Sequence, residues 1–218
     1  MDFIDRKKEM ARLERLILER RGGFAAIWGR RRIGKSELLK EWCRKFNGIY
    51  TVADQSLATL QRSSFALALA ERFPGFADVI YPTWKSLFEA LTNRAIAEDW
   101  HGPLVMDEFP YWVEVDASIA SVLQNWIDGE KSRCGIVCAI AGSVQHMMQG
   151  LVLDADSPLY GRVDEKIKLH HCLVPCDENG TRLPQDHREW NRYTGKNEID
   201  ASDYDALDKM SLYVHMLA

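Results

Sequence analysis

Long hydrophobic runs are missing from this chain. No stretch of its 218 residues approaches the roughly 18 apolar residues that a membrane-crossing helix needs, so no membrane role is expected. Cysteines are few and odd in number, five, with no paired framework, which excludes a disulfide-stapled scaffold and fits a reducing compartment. The start, Met1-Asp2-Phe3-Ile4-Asp5-Arg6, lacks the apolar core of a secretory signal, and the expected location is the cytoplasm. An excess of positive charge is also absent. With 28 Lys and Arg against 32 Asp and Glu, the net charge is −4, and the chain as a whole is not a polyanion binder. There is no internal repeat and no low-complexity tract.

What is present is an ordinary globular balance, 46% hydrophobic and 28% charged, at a length that suits one domain with a small appendage. The charge is unevenly spread: residues 1–45 carry 14 basic and 7 acidic residues, and the remainder carries 14 and 25. That is either a set of solvated helix faces or an anion site near the start.

Buried strands alternate with amphipathic helices. Phe24–Trp28, Gly48–Val52, Leu104–Met106 and Gly135–Ala141 are short, largely apolar runs, and Asp164–Leu169 is a weaker fifth. Helical spacing marks residues 6–20, 35–46, 57–73, 84–98 and 117–128. This pattern predicts an α/β fold with a central, mainly parallel sheet of about five strands flanked by helices in three layers. The domain is expected over 1–170. Residues 171–218 form a polar tail, expected to be partly disordered, with a short amphipathic helix near 203–217.

Gly29-Arg30-Arg31-Arg32-Ile33-Gly34-Lys35-Ser36 fits G-x-x-x-x-G-K-[ST] at every fixed position and lies between a buried strand and a helix. The glycines permit a tight turn and close backbone approach, and the amides form a nest for phosphate oxygens. The candidate nucleotide-binding set is Gly29, Arg30, Arg31, Arg32, Ile33, Gly34, Lys35, Ser36 and Glu37. Lys35 is expected on the β- and γ-phosphates and Ser36 on Mg²⁺. The three arginines either raise the local potential or are simply solvated.

Asp107 and Glu108 end the apolar run Leu104–Met106. Asp107 is the expected metal-orienting carboxylate, and Glu108 either polarises the attacking water or is a solvated acid at a strand end. Ser143 follows the fourth strand, as a γ-phosphate sensor or as a turn serine. Arg162, after Pro158-Leu159-Tyr160-Gly161, reaches phosphate in cis or in a neighbouring subunit of a homo-oligomer, or is a surface arginine.

Taken in order, the Phe3-Ile4-Asp5-Arg6 box with Glu9 and Leu13, the loop Gly29–Ser36, Leu104–Glu108, Ala141-Gly142-Ser143 and Pro158–Arg162 make the chain resemble the prokaryotic, archaeal-type P-loop ATPases, an AAA-like group near the STAND and AAA+ classes. The resemblance spans about residues 3–169. It implies a phosphate-loop strand set between other strands, an Asp-Glu strand not directly beside it, and an N-terminal box by the adenine. Such proteins continue into a helical lid and a winged-helix module, so the chain reads as a member cut short after its nucleotide domain. The activity implied is Mg²⁺-dependent hydrolysis of ATP, coupled to a protein or DNA client. The alternatives are a nucleotide-binding switch with little hydrolysis and a small-molecule kinase. Asp107-Glu108 favours water as acceptor over the kinase. The group His170-His171-Cys172 with Cys176 lacks the spacing of a metal site, and the tryptophans are expected mostly in the core.

Overall fold

The computed structural model describes residues 6–129 and 134–169. The described elements lie within the first of the two units into which the chain divides, Met1–His170. In chain order they are α1 (Lys7–Leu18), β1 (Gly23–Trp28), α2 (Lys35–Lys45), β2 (Ile49–Val52), α3 (Ala58–Ala70), α4 (Trp84–Ala97), β3 (Pro103–Asp107), α5 (Phe109–Val115), α6 (Ser118–Gly129), β4 (Val137–Gly142), α7 (Gln145–Leu153) and β5 (Glu165–Lys168), with a single 3-10 turn at Phe76–Asp78.

The five strands form one sheet in the order β2-β3-β4-β1-β5, and every pairing is parallel. β1, β3 and β4 are buried along their whole length. Their side chains alternate between two apolar clusters, as the two-residue period of a strand requires. Phe24, Ala26, Trp28, Leu104, Met106, Cys138 and Ile140 enter one cluster, with α3, α4, α5 and α6. Ala25, Ile27, Val105, Val137, Ala139 and Ala141 enter the other, with α1 and α2. The sheet is therefore covered on both faces, as the apolar runs predict, and β4 separates the phosphate-loop strand β1 from β3, as the family resemblance implies.

The face covered by α3, α4, α5 and α6 holds an aromatic core. Phe65 lies 5.7 Å from Trp84 and 5.5 Å from Trp112, and Phe88 packs on Trp126 at 5.4 Å. Trp28, Trp42, Trp84, Trp100, Trp112 and Trp126 are all buried; Trp190 lies outside the described residues. α4 starts where Thr83 and Ser86 cap one another, the Thr83 Oγ1 accepting from the Ser86 amide at 3.1 Å. α1 is fastened to the edge strand β5: Arg12 Nη2 donates to Glu165 Oε2 at 2.6 Å, and Arg15 pairs with the same buried carboxylate.

Some expectations need correction. α5 and α7 have no counterpart in the sequence reading; they run for only 7 and 9 residues, too short for a helical period to stand out. α3 stops at Ala70, because Pro74-Gly75 follows and the chain turns through Phe73 N to Leu69 O at 2.8 Å. β4 begins at Val137 rather than Gly135, because Gly135 adopts φ +67° in the preceding turn. The tail 171–218 and the His170–Cys176 group lie outside the described residues, as do Phe3, Ile4 and Asp5.

Candidate functional site

In a parallel sheet the loops that follow the strands gather at one end, where ligands of such folds bind. Trp28 is in register with Gly142 and Lys168, and Val52 with Asp107, so the loops after β1, β2, β3 and β4 meet there. The loop after β1 turns into α2 through two left-handed residues, Arg32 at φ +63° and Gly34 at φ +83°. Gly34 occupies the N-cap of α2 and no side chain caps the helix, which leaves its first amides to an anion.

Gly29 allows the close approach that the loop needs. A Cβ there would stand 2.3 Å from Ile33 Cδ1 and 2.7 Å from the Leu169 carbonyl oxygen. Gly29→Ala is accordingly expected to cost about 1–3 kcal/mol, lowering Tm by roughly 3–10 °C in a thermal melt.

Lys35 is 6% exposed, and its Nζ lies between two carboxylates, 3.2 Å from Asp107 Oδ1 and 3.3 Å from Glu108 Oε1. Asp107 Oδ2 accepts from Ser36 Oγ and from the Tyr50 hydroxyl, each at 2.6 Å, while Oδ1 also accepts from the Glu108 amide at 2.9 Å. Glu108 sits at φ +52°, uncommon for a residue with a side chain. Its Oε2 accepts from both the amide and the hydroxyl of Ser143 at 3.0 Å, a tie that spans β3 to β4.

Burial works to raise the Asp107 carboxyl, but the Lys35 charge and the hydrogen bonds from Ser36, Tyr50 and Lys35 outweigh it and hold the group below its ordinary value of 3.8. A carboxyl lowered in the folded state contributes stability above its unfolded value and loses it as pH falls through the folded one. The Tm gap between the wild-type chain and Asp107→Asn in metal-free buffer is therefore expected to be widest near neutrality. It should shrink below about pH 4 in a melt series taken down to about pH 3. For Tyr50, burial and then the bond to Asp107 push the hydroxyl above its ordinary value, so it stays a donor.

A hollow of about 350 Å³ lies over the loop, lined by Arg30, Arg31, Arg32, Gly34, Lys35, Ser36, Glu37 and Glu108. Four of these are cationic and two are acidic, which favours a polyanion. Arg31 Nη2 donates to the Tyr111 hydroxyl at 3.1 Å on α5. Ile33 is buried beneath the loop, and its carbonyl accepts from Arg6 Nη2 at 2.9 Å.

The structure thus brings together Lys35, Ser36, Asp107, Glu108 and Ser143. It does not bring Arg162 to them: that guanidinium is held bidentate by Asp128, with Nε and Nη2 at 2.8 Å from its oxygens, and also donates to the Pro158 and Tyr160 carbonyls. Tyr50, Tyr111 and the Arg6 tie to Ile33 were not singled out from the sequence. Tyr50 reads there as an ordinary strand aromatic, and only the register of β2 on β3 reveals its place.

For Mg²⁺, the donors converging here are oxygens, the Ser36 hydroxyl beside the Asp107 carboxylate. Among the described residues no group of three or more His, Cys, Asp or Glu could hold a metal. That set fits a hard cation that takes its remaining ligands from phosphate and water. Among the described residues no helix is long and apolar enough to cross a membrane.

The model of a family described as an ATPase domain predominantly from Archaea matches residues 3–173. An uncharacterized protein of Methanocaldococcus jannaschii is 27% identical over 174 residues, covering 77% of this chain and 35% of the relative. A Walker-type ATPase of Pyrococcus abyssi superposes with a TM-score of 0.64 at 18% identity, over 95% of this chain and 63% of that one. The ORC2 protein of Aeropyrum pernix, in ADPNP and ADP complexes, gives a TM-score of 0.57 at 16% identity, over 77% and 48%. Cdc6p of Pyrobaculum aerophilum gives 0.55 at 14%, over 82% and 48%. The structural likenesses show the fold. The chain spans less than two thirds of the length of each of these relatives.

Proposed function

The chain belongs to the family of ATPase domains found predominantly in Archaea, and from that premise we propose that it binds ATP with Mg²⁺ on the Gly29–Ser36 loop and hydrolyses it to ADP and phosphate. The observation that carries this reading is Lys35 Nζ set between Asp107 and Glu108 at 3.2 and 3.3 Å, directly over the loop. The uncapped start of α2 and the loop amides hold the phosphate chain. Lys35 exchanges its carboxylate partners for β- and γ-phosphate oxygens, as a mobile ammonium can. Ser36 and Asp107 hold Mg²⁺ and its waters, and the metal when bound neutralises charge on the phosphates.

Glu108 accepts the proton of the attacking water. What supports this role is its position at the end of β3, its left-handed backbone and the two Ser143 donors that hold Oε2. Ser143 reports on the γ-phosphate through the same bonds. Arg162 has no part in this reading within one chain; action on a neighbouring copy would require its pair with Asp128 to open.

A second reading, a nucleotide-binding switch with little turnover, is favoured by one observation: both oxygens of Glu108 are already occupied, by Lys35 and Ser143. Phosphate release by the 218-residue chain, followed with and without Mg²⁺ alongside ATP-dependent melting, separates the two. Mg²⁺-dependent turnover supports hydrolysis. A rise in Tm with ATP but only background phosphate supports the switch, and neither response would contradict a nucleotide site.

A further inference from the structure

We propose that Tyr50 is a positioning residue for the divalent cation of this site, acting through the orientation of Asp107. The inference rests on the reading of the loop as a Mg²⁺–nucleotide site.

The Asp107 carboxylate accepts from four donors, two on each oxygen: Lys35 and the Glu108 amide on Oδ1, Ser36 and Tyr50 on Oδ2. Two of these belong to the phosphate loop and are claimed by the ligand. The ammonium of Lys35 goes to phosphate, and the Ser36 oxygen goes to the cation. The other two belong to the frame. The Glu108 amide is the next peptide along the chain and holds Oδ1 at 2.9 Å; the Tyr50 hydroxyl holds Oδ2 at 2.6 Å. A carboxylate fixed by one donor can swing about its own axis; fixed on both oxygens it cannot. Tyr50 is the side chain outside the loop that closes this arrangement.

The tyrosine is itself held firmly. β2 pairs with β3 so that Tyr50 faces Val105, two residues from Asp107, the diagonal that a long aromatic side chain can span. The strand end is locked by Thr51 Oγ1 on the Val105 carbonyl at 2.8 Å and by the Ala53 amide on the Asp107 carbonyl at 2.9 Å. Lys40 Nζ lies 5.3 Å from the ring centroid. None of these contacts uses the hydroxyl, so Tyr50→Phe removes the bond to Asp107 and leaves the packing in place.

The test is calorimetric binding of ATP to the whole chain and to Tyr50→Phe, in Mg²⁺ and in EDTA, with a melt of each protein. Affinity in EDTA is expected to stay within about twofold of wild type, while affinity in Mg²⁺ falls by about tenfold, the scale of one lost bond to a charged group. In an Asp107→Asn background the tyrosine change should add less than about twofold, because its partner has already been altered. An unchanged Mg²⁺ response in Tyr50→Phe would overturn the proposal. So would equal losses in Mg²⁺ and EDTA, or a Tyr50→Phe chain that does not fold, because each would make the hydroxyl structural. Wild-type binding that ignores Mg²⁺ would instead remove the premise, the Mg²⁺–nucleotide reading of the loop, and the proposal with it.

Discussion

Replacing Lys35 by alanine is expected to abolish measurable ATP turnover, a loss of at least about a hundredfold, and to weaken Mg²⁺–ATP binding about tenfold or more. Lys35 is the cation on which the two carboxylates converge, and it is buried. Without it Asp107 and Glu108 present uncompensated negative charge where a triphosphate must enter. Asp107 keeps three other donors, in Ser36, Tyr50 and the Glu108 amide. The fold should therefore lose only about 1–3 kcal/mol, less than a fully orphaned buried charge would cost. Lys35→Arg is not expected to restore turnover, because the planar guanidinium fork cannot replace a compact ammonium held on two sides. Phosphate release and a melt on the same preparations check both halves: turnover gone, fold largely kept.

Glu108→Gln is expected to separate binding from chemistry. Glutamine keeps the shape of the side chain and an oxygen for the Ser143 donors, but it cannot take a proton from water. Turnover should fall by about 10²–10⁴-fold, the usual contribution of a positioned base, while nucleotide affinity stays within a few-fold. Because ATP is then not consumed, the variant should show sustained ATP-dependent thermal stabilisation in Mg²⁺. A variant that hydrolyses at the wild-type rate would remove Glu108 from the mechanism and leave it as a structural tie to Ser143.

Much of this molecule is legible in its residues, for identifiable reasons. The strands are visible because a parallel strand buried on both faces must be apolar throughout, as Phe24–Trp28 and Leu104–Met106 are. The phosphate loop is visible because its chemistry is local: glycines for backbone freedom, then lysine and a hydroxyl at the head of a helix, all within eight residues. The strand order is not written in any one segment, and only the family resemblance implied that a strand separates β1 from β3.

What the sequence hid depends on distant partners. Tyr50 matters because 57 residues later Asp107 lies across a strand pairing. Arg6 belongs to the box that the family resemblance sets by the adenine, and its residues alone read as the start of an amphipathic helix; neither reading shows its bond to the Ile33 carbonyl in the loop, 27 residues on. Arg162 sits in a position that invites a phosphate role, but Asp128, contributed by α6, takes its guanidinium. α5 and α7 were hidden for a different reason: neither completes enough turns for its period to be distinguished from that of a loop.

Whether the Gly29–Ser36 loop is a cup for a triphosphate tail is decided by calorimetry of the wild-type chain with a non-hydrolysable ATP analogue. Saturable one-to-one binding is expected in Mg²⁺, weakening at least about tenfold when the metal is chelated. An absence of saturable binding in Mg²⁺, or binding of equal strength after Lys35→Ala, would contradict that reading of the loop.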